Sequence, residues 1–122
     1  MKIRIQENSL RIRLLRSEVD TLAAVGYLEA ETVFADNSLI YALQADDEEQ
    51  ELTADFIDNK ITMFVPRTWL KDWATNSNIG FSANMPLSDT GSLFLLLEKD
   101  FVCTDNTTGA QSDNYINPNK TC

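Results

Sequence analysis

Histidine is absent from all 122 residues. The chain therefore lacks the one side chain whose ordinary pKa lies near neutrality. Ser–His and Cys–His nucleophilic chemistry and imidazole metal ligation are excluded with it. Positive charge is scarce too: 10 Lys and Arg stand against 19 Asp and Glu, a net charge of −9. Such a chain repels nucleic-acid phosphates and anionic lipid at long range, so neither nucleic acid nor a membrane is expected as a partner. No apolar run approaches the roughly 18 residues that span a bilayer. The opening residues, Met1 to Glu7, alternate like a strand and have no apolar signal core. A cytoplasmic location is the expectation. Cysteine occurs twice, at Cys103 and Cys122. In a reducing compartment both are expected to be free thiols, although a bridge between them would close a loop of about 20 residues. A zinc site would have to recruit Asp105 and Asp113 beside the two cysteines, a set without ligand spacing. The sequence around Asp105 also fails the calcium-loop pattern. No metal and no cofactor is expected. The sequons at Asn106 and Asn119 are read as chance in an Asn- and Thr-rich tail.

What the chain does have is order repeated. Met1, Ile3 and Ile5 alternate with polar residues as a half-buried strand does. Glu7–Asn8 supplies a two-residue turn, and Leu10, Ile12 and Leu14 a second strand. Ser17 reads as a helix N-cap with Asp20 as its capping acid, and Gly26 as the residue that closes the helix. Two further strands follow, on Leu28 to Phe34 and Leu39 to Leu43, turned at Asp36–Asn37–Ser38. The run from Asp46 to Glu51 holds five acids and is read as a solvated connection. The same signals then recur 51 positions on. Leu52, Ala54 and Phe56 replace Met1, Ile3 and Ile5, and Asp58–Asn59 replaces Glu7–Asn8. Ile61, Met63 and Val65 follow, Thr68 takes the capping place, and Leu70, Trp73 and Ala74 the helix face. Ile79, Phe81, Ala83 and Met85 replace Leu28, Ala30, Thr32 and Phe34. The turn at Leu87 to Gly91 is longer, and Leu93, Leu95 and Leu97 complete the series.

The predicted fold is α+β, mainly antiparallel β, in one domain over residues 1–122. Two strand–strand–helix–strand–strand half-repeats, 1–45 and 52–99, are joined by the acidic connection 46–51. Neither half alone buries both its sheet and its helix face, so the halves are expected to form a closed or nearly closed barrel. The polar, irregular tail 100–122 is expected to lie along it. The strand from Ile61 to Pro66 entering a helix resembles the swapped-hairpin barrels of bacterial transition-state regulators and antitoxins. That resemblance implies a topology, and DNA regulation as the third-ranked function. The Lys-Ile-Arg-Ile start, the Ser-Glu-Val-Asp run at Ser17, Glu98–Lys99–Asp100–Phe101 before Cys103, and the tail Ser112–Asp113–Asn114–Tyr115 with Asn117–Pro118–Asn119 also resemble a small uncharacterised bacterial family of about this length. No activity is implied by that resemblance.

Two groups of residues are candidates for a function. Arg4, Arg11 and Arg13 fall on the outward side of the first hairpin, with Arg16 beyond it. Guanidinium groups so gathered can hold a carboxylate or phosphate, or they pair with the surplus of acids. Trp69, one turn from the core-facing Trp73, is a candidate contact anchor. In the tail, Asp113, Asn114 and Tyr115 are candidate contact residues. The leading reading is a non-catalytic interaction module with an unidentified protein partner. The alternative is a small-molecule or anion binder using the arginine face or a groove beside the tail.

Overall fold

Alternation builds the strands and turn chemistry ends them. The computed structural model describes residues 1–89, 91–102 and 115–116. Strands β1 (Lys2–Gln6) and β2 (Ser9–Leu14) form a hairpin across Glu7–Asn8, with Glu7 at φ 49°. Helix α1 (Arg16–Val25) follows, and then the hairpin β3 (Tyr27–Val33) and β4 (Ser38–Asp46). The order recurs in β5 (Thr53–Ile57), β6 (Lys60–Pro66), the single-turn α2 (Arg67–Leu70), β7 (Gly80–Pro86) and β8 (Ser92–Lys99). Asp58 and Asn59, at φ 52° and 64°, join β5 to β6. These are left-handed conformations that Asn and Asp tolerate better than most residues. Two short strands, β9 (Phe101–Val102) and β10 (Tyr115–Ile116), pair in parallel.

Two four-stranded sheets result, ordered β1-β2-β8-β7 and β3-β4-β6-β5. Each combines one hairpin from the first stretch with one from the second. The hairpin ladders are antiparallel, as expected, but both central pairs, β2–β8 and β4–β6, are parallel. Parallel neighbours need a long crossover. Here the chain between β2 and β8 supplies the whole of the other sheet, so the requirement is met without a dedicated crossover helix.

The registers of the two sheets correspond. Leu10 stands beside Leu95 as Ile61 stands beside Tyr41, and Ile12 beside Leu97 as Met63 beside Leu43. The flanking backbone bonds correspond too. Phe94 N–H donates to the Asn8 carbonyl at 3.1 Å, and Ile40 N–H to that of Asn59 at 3.0 Å. Lys99 N–H donates to the Ile79 carbonyl, and Ala45 N–H to that of Gly26, both at 2.9 Å.

Three sequence expectations need correction. Leu28 pairs with Leu43 and Phe81 with Leu97, so Phe81, not Ile79, takes the place of Leu28. The extra residues of the second stretch therefore fall mainly in its helical connection, and only one lengthens the β7–β8 turn. Ser17 is not the N-cap of α1: the cap is Leu15, and Glu18, not Asp20, reaches back to accept the Leu15 N–H at 2.8 Å. Thr68 likewise lies inside α2, whose cap is Pro66. In both stretches a core-bound strand runs almost straight into the helix, and an apolar residue, Leu15 just after β2 or Pro66 at the end of β6, occupies the position that a polar cap would take.

Both sheets turn their alternate apolar residues onto one core. Ile12, Leu14, Leu43, Met63, Val65, Leu95 and Leu97 are completely buried there, together with Val19 and Leu22 of α1 and Trp73. Each such burial stabilises by roughly 1.5–3 kcal/mol. Among the described residues no ladder joins the two sheets edge to edge. At one edge, however, the Ala54 N–H of β5 lies 3.3 Å from the sulfur of Met85 on β7. No described helix is long and apolar enough to cross a membrane.

Candidate functional site on the outer face of the first hairpin

Period-2 alternation that sends Leu10, Ile12 and Leu14 inward must send Arg11 and Arg13 outward. The register places Arg4 directly across from Arg11 and Lys2 directly across from Arg13. Four cations thus occupy two adjacent rows of one sheet face. On the other side of β2 the same rows continue into Leu96 and Glu98 of β8.

Glu98 is the charge that holds this face together. Its Oε1 accepts from Arg11 Nε at 2.6 Å and from Arg13 Nε at 2.7 Å. Charge-assisted bonds of this length are the stronger kind. Lys2 Nζ lies 2.9 Å from Oδ2 of Asp100, whose side chain is buried while that of Lys2 is largely exposed. Arg4 has no ion pair among the described residues. Beside these side chains is a depression of about 250 Å³ lined by Lys2, Ile3, Arg4, Arg11 and Arg13. No acidic residue is among its described lining.

The other candidates fall elsewhere. Arg16 opens α1, beyond the sheet. Trp69 belongs to the opposite side of the sheet. It stacks on Phe81 with ring centroids 4.8 Å apart, and Phe81 pairs with the buried Leu97. Trp69 is a partly buried ring packed against the core. Tyr115 is seen only as a β10 backbone position beside Phe101. Asp113, Asn114, Cys103 and Cys122 lie outside the described residues, and with them the expectation of two free thiols. Among the described residues no three acidic, Cys or His side chains come together as metal ligands do.

Sequence reasoning missed Glu98, Lys99 and Asp100 as structural partners. Lys99 is almost fully buried and faces the core opposite Leu14. Its Nζ donates to the Asn76 carbonyl at 2.7 Å and lies 5.7 Å from the centre of the Trp73 ring. Burial lowers its pKa below the ordinary 10.5, because desolvation penalises the charged form. The signal for it was present: the repeat places Lys99 where the first stretch has the small apolar Ala45.

Fold and site together describe a small α+β domain of two sheets that exchange hairpins, with a concentrated basic face on one of them. The chain belongs to a family of unknown function, DUF7009, which matches residues 1–119. No curated protein and no solved structure matches it.

Proposed function

We propose that this chain is a non-catalytic interaction module of the bacterial cytoplasm, and that the outer face of β1 and β2 is its binding surface. It is built from two internally duplicated halves, residues 1–45 and 52–99, which close around their shared core as a nearly complete barrel. The corresponding registers and flanking hydrogen bonds support the duplication, and the Ala54–Met85 approach between sheet edges supports the closure. The observation that carries the functional reading is the gathering of Lys2, Arg4, Arg11 and Arg13 on one face of a chain of net charge −9. Cations spread through an acidic surface pair locally and contribute little. Cations collected on one face, with too few carboxylates beside them, attract a negatively charged partner and orient it.

The first test is an NMR titration with a polyglutamate peptide at moderate salt. Amide shifts confined to β1 and β2 and reduced by added salt are the expected result. Shifts spread evenly over the molecule, or none, would refute this surface. Duplex DNA should not bind, because the rest of the acidic chain opposes it.

A further inference from the structure

Arg4 and Arg11 are direct cross-strand neighbours. Like charges in that position destabilise a sheet. Arg11 is compensated by Glu98, and Arg4 has no ion pair among the described residues. Adding Arg13 and Lys2, four cations face two carboxylates, Glu98 and Asp100. The face therefore carries two positive charges that these carboxylates leave uncompensated. Glu98 also shows how an oxyanion is received here: one carboxylate oxygen takes both guanidinium Nε groups, 2.6 and 2.7 Å away. Arg11 and Arg13 are thereby held side by side, at little further entropic cost to a ligand that uses them. The neighbouring depression, about 250 Å³, is several times the roughly 30 Å³ that a water molecule occupies in the liquid. That is room for an anionic head group and a short stem.

The geometry points to a binding site for a small phosphate monoester dianion over Lys2, Arg4, Arg11 and Arg13, with Glu98 as its built-in competitor. A dianion matches the two uncompensated charges, and its three terminal oxygens give each guanidinium a partner. A carboxylate matches only half of that charge. Arg4 would be the residue that waits for the ligand, while Arg11 and Arg13 keep their Nε bonds to Glu98 and offer their remaining N–H groups to the phosphate. The inference rests on the basic face being the binding surface, and it adds the chemical class of what is bound.

The probe is glycerol 3-phosphate, titrated into the full chain at constant ionic strength and followed by calorimetry and amide shifts. Saturable binding with shifts on β1 and β2 is expected. Dimethyl phosphate, a tetrahedral diester monoanion with only two terminal oxygens, should bind at least ten-fold more weakly. Affinity for the monoester should fall as the pH drops through about 6, where its second proton returns. Arg4→Ala should weaken binding about ten-fold with no loss of folding stability, a result that a purely structural arginine would not give. Glu98→Gln should bind more tightly, because its competitor charge is gone. If Glu98→Gln folds poorly, Arg4→Ala still decides. Equal affinity in wild type and Arg4→Ala, or no saturation in wild type, would overturn the proposal. If polyglutamate shifts β1 and β2 and glycerol phosphate does not, the monoester site is wrong and the interaction surface stands. If neither does, both fall.

Discussion

The hairpins β1–β2 and β5–β6 occupy corresponding places in the two sheets, and their outer faces differ in chemistry. Where the first has Lys2, Arg4, Arg11 and Arg13, the second has Thr53, Asp55, Thr62 and Phe64 in the same cross-strand pairs. On that second face the cation Lys60 lies 5.0 Å from the Tyr27 ring. Its pKa is raised first by the hydrogen bond with Tyr27 and then by Tyr27, Glu29 and Asp55 nearby. One face thus carries a local excess of positive charge, and on the other a single cation sits among Tyr27, Glu29 and Asp55. The inward residues of the two hairpins remain interchangeable in kind. The core constrains only the inward half of each strand, and the two hairpins differ in the outward half.

The helical connections differ in a similar way. Helix α1 ends at Gly26, which adopts φ 85° and donates its N–H to the Leu22 carbonyl at 2.8 Å. After α2 no glycine plays this part. Instead the Lys99 ammonium takes the Asn76 carbonyl, and the Trp73 indole N–H donates to the Asn78 carbonyl at 2.9 Å. The first connection is closed by backbone conformation, the second by long buried side chains.

The largest expected effect comes from the core positions that the two hairpins share. Ile12→Ala and Met63→Ala each remove a fully buried side chain at corresponding places. Each should cost about 2–5 kcal/mol in chemical denaturation. A cost below about 1 kcal/mol for one alone would break the correspondence of the two sheets.

The helix closures come next. Gly26→Ala places a Cβ 3.2 Å from the Arg67 guanidinium in a left-handed backbone. It should lower stability by about 1–2 kcal/mol. Lys99→Met should sharpen the contrast through pH. Because burial lowers the Lys99 pKa, the folded chain gives up that proton before the unfolded chain does. Between the lowered value and 10.5 the unfolded state holds more protons, so stability rises with pH there. Below that window the cost of burying the charge is present in full. Denaturation curves of wild type and Lys99→Met across this window should therefore show wild type gaining on the variant as pH rises. A constant difference would mean that Lys99 is not desolvated.

Much of the fold was legible because alternation is a period-2 signal and the core reads only one of its phases. Strands, tight turns and the closing role of Gly26 followed from that. The shift between β3 and β7 was not legible, since Ile79 and Phe81 are both apolar and two residues apart, and either satisfies the pattern. Only the pairing of Phe81 with Leu97 decides it. The helix caps were misplaced for a related reason. Ser17 and Thr68 have the right chemistry, but the chain's entry angle is set by the buried Leu14 and Val65. Of the candidate site, Arg4, Arg11 and Arg13 could be found from their phase on the strands. Glu98 could not, because it stands 85 positions from Arg13 and meets it only through the parallel β2–β8 pair.

The smallest expected effect on stability is that of Arg4→Ala. Relieving the like-charge pair with Arg11 should stabilise the free protein by a few tenths of a kcal/mol, about the lower end for cross-strand pairs. Thermal melts at low and high salt check this, since screening should remove the gain. A clear loss of stability would show that Arg4 is held by a partner within the chain.

Each sheet takes one hairpin from either stretch of sequence. Backbone amide and Hα NOEs in the 122-residue chain examine this arrangement. Cross-strand NOEs are expected between β2 and β8, around Ile12 and Leu97, and between β4 and β6, around Leu43 and Met63. NOEs pairing β2 with β4 and β6 with β8 would mean that each stretch builds its own sheet, and would contradict it.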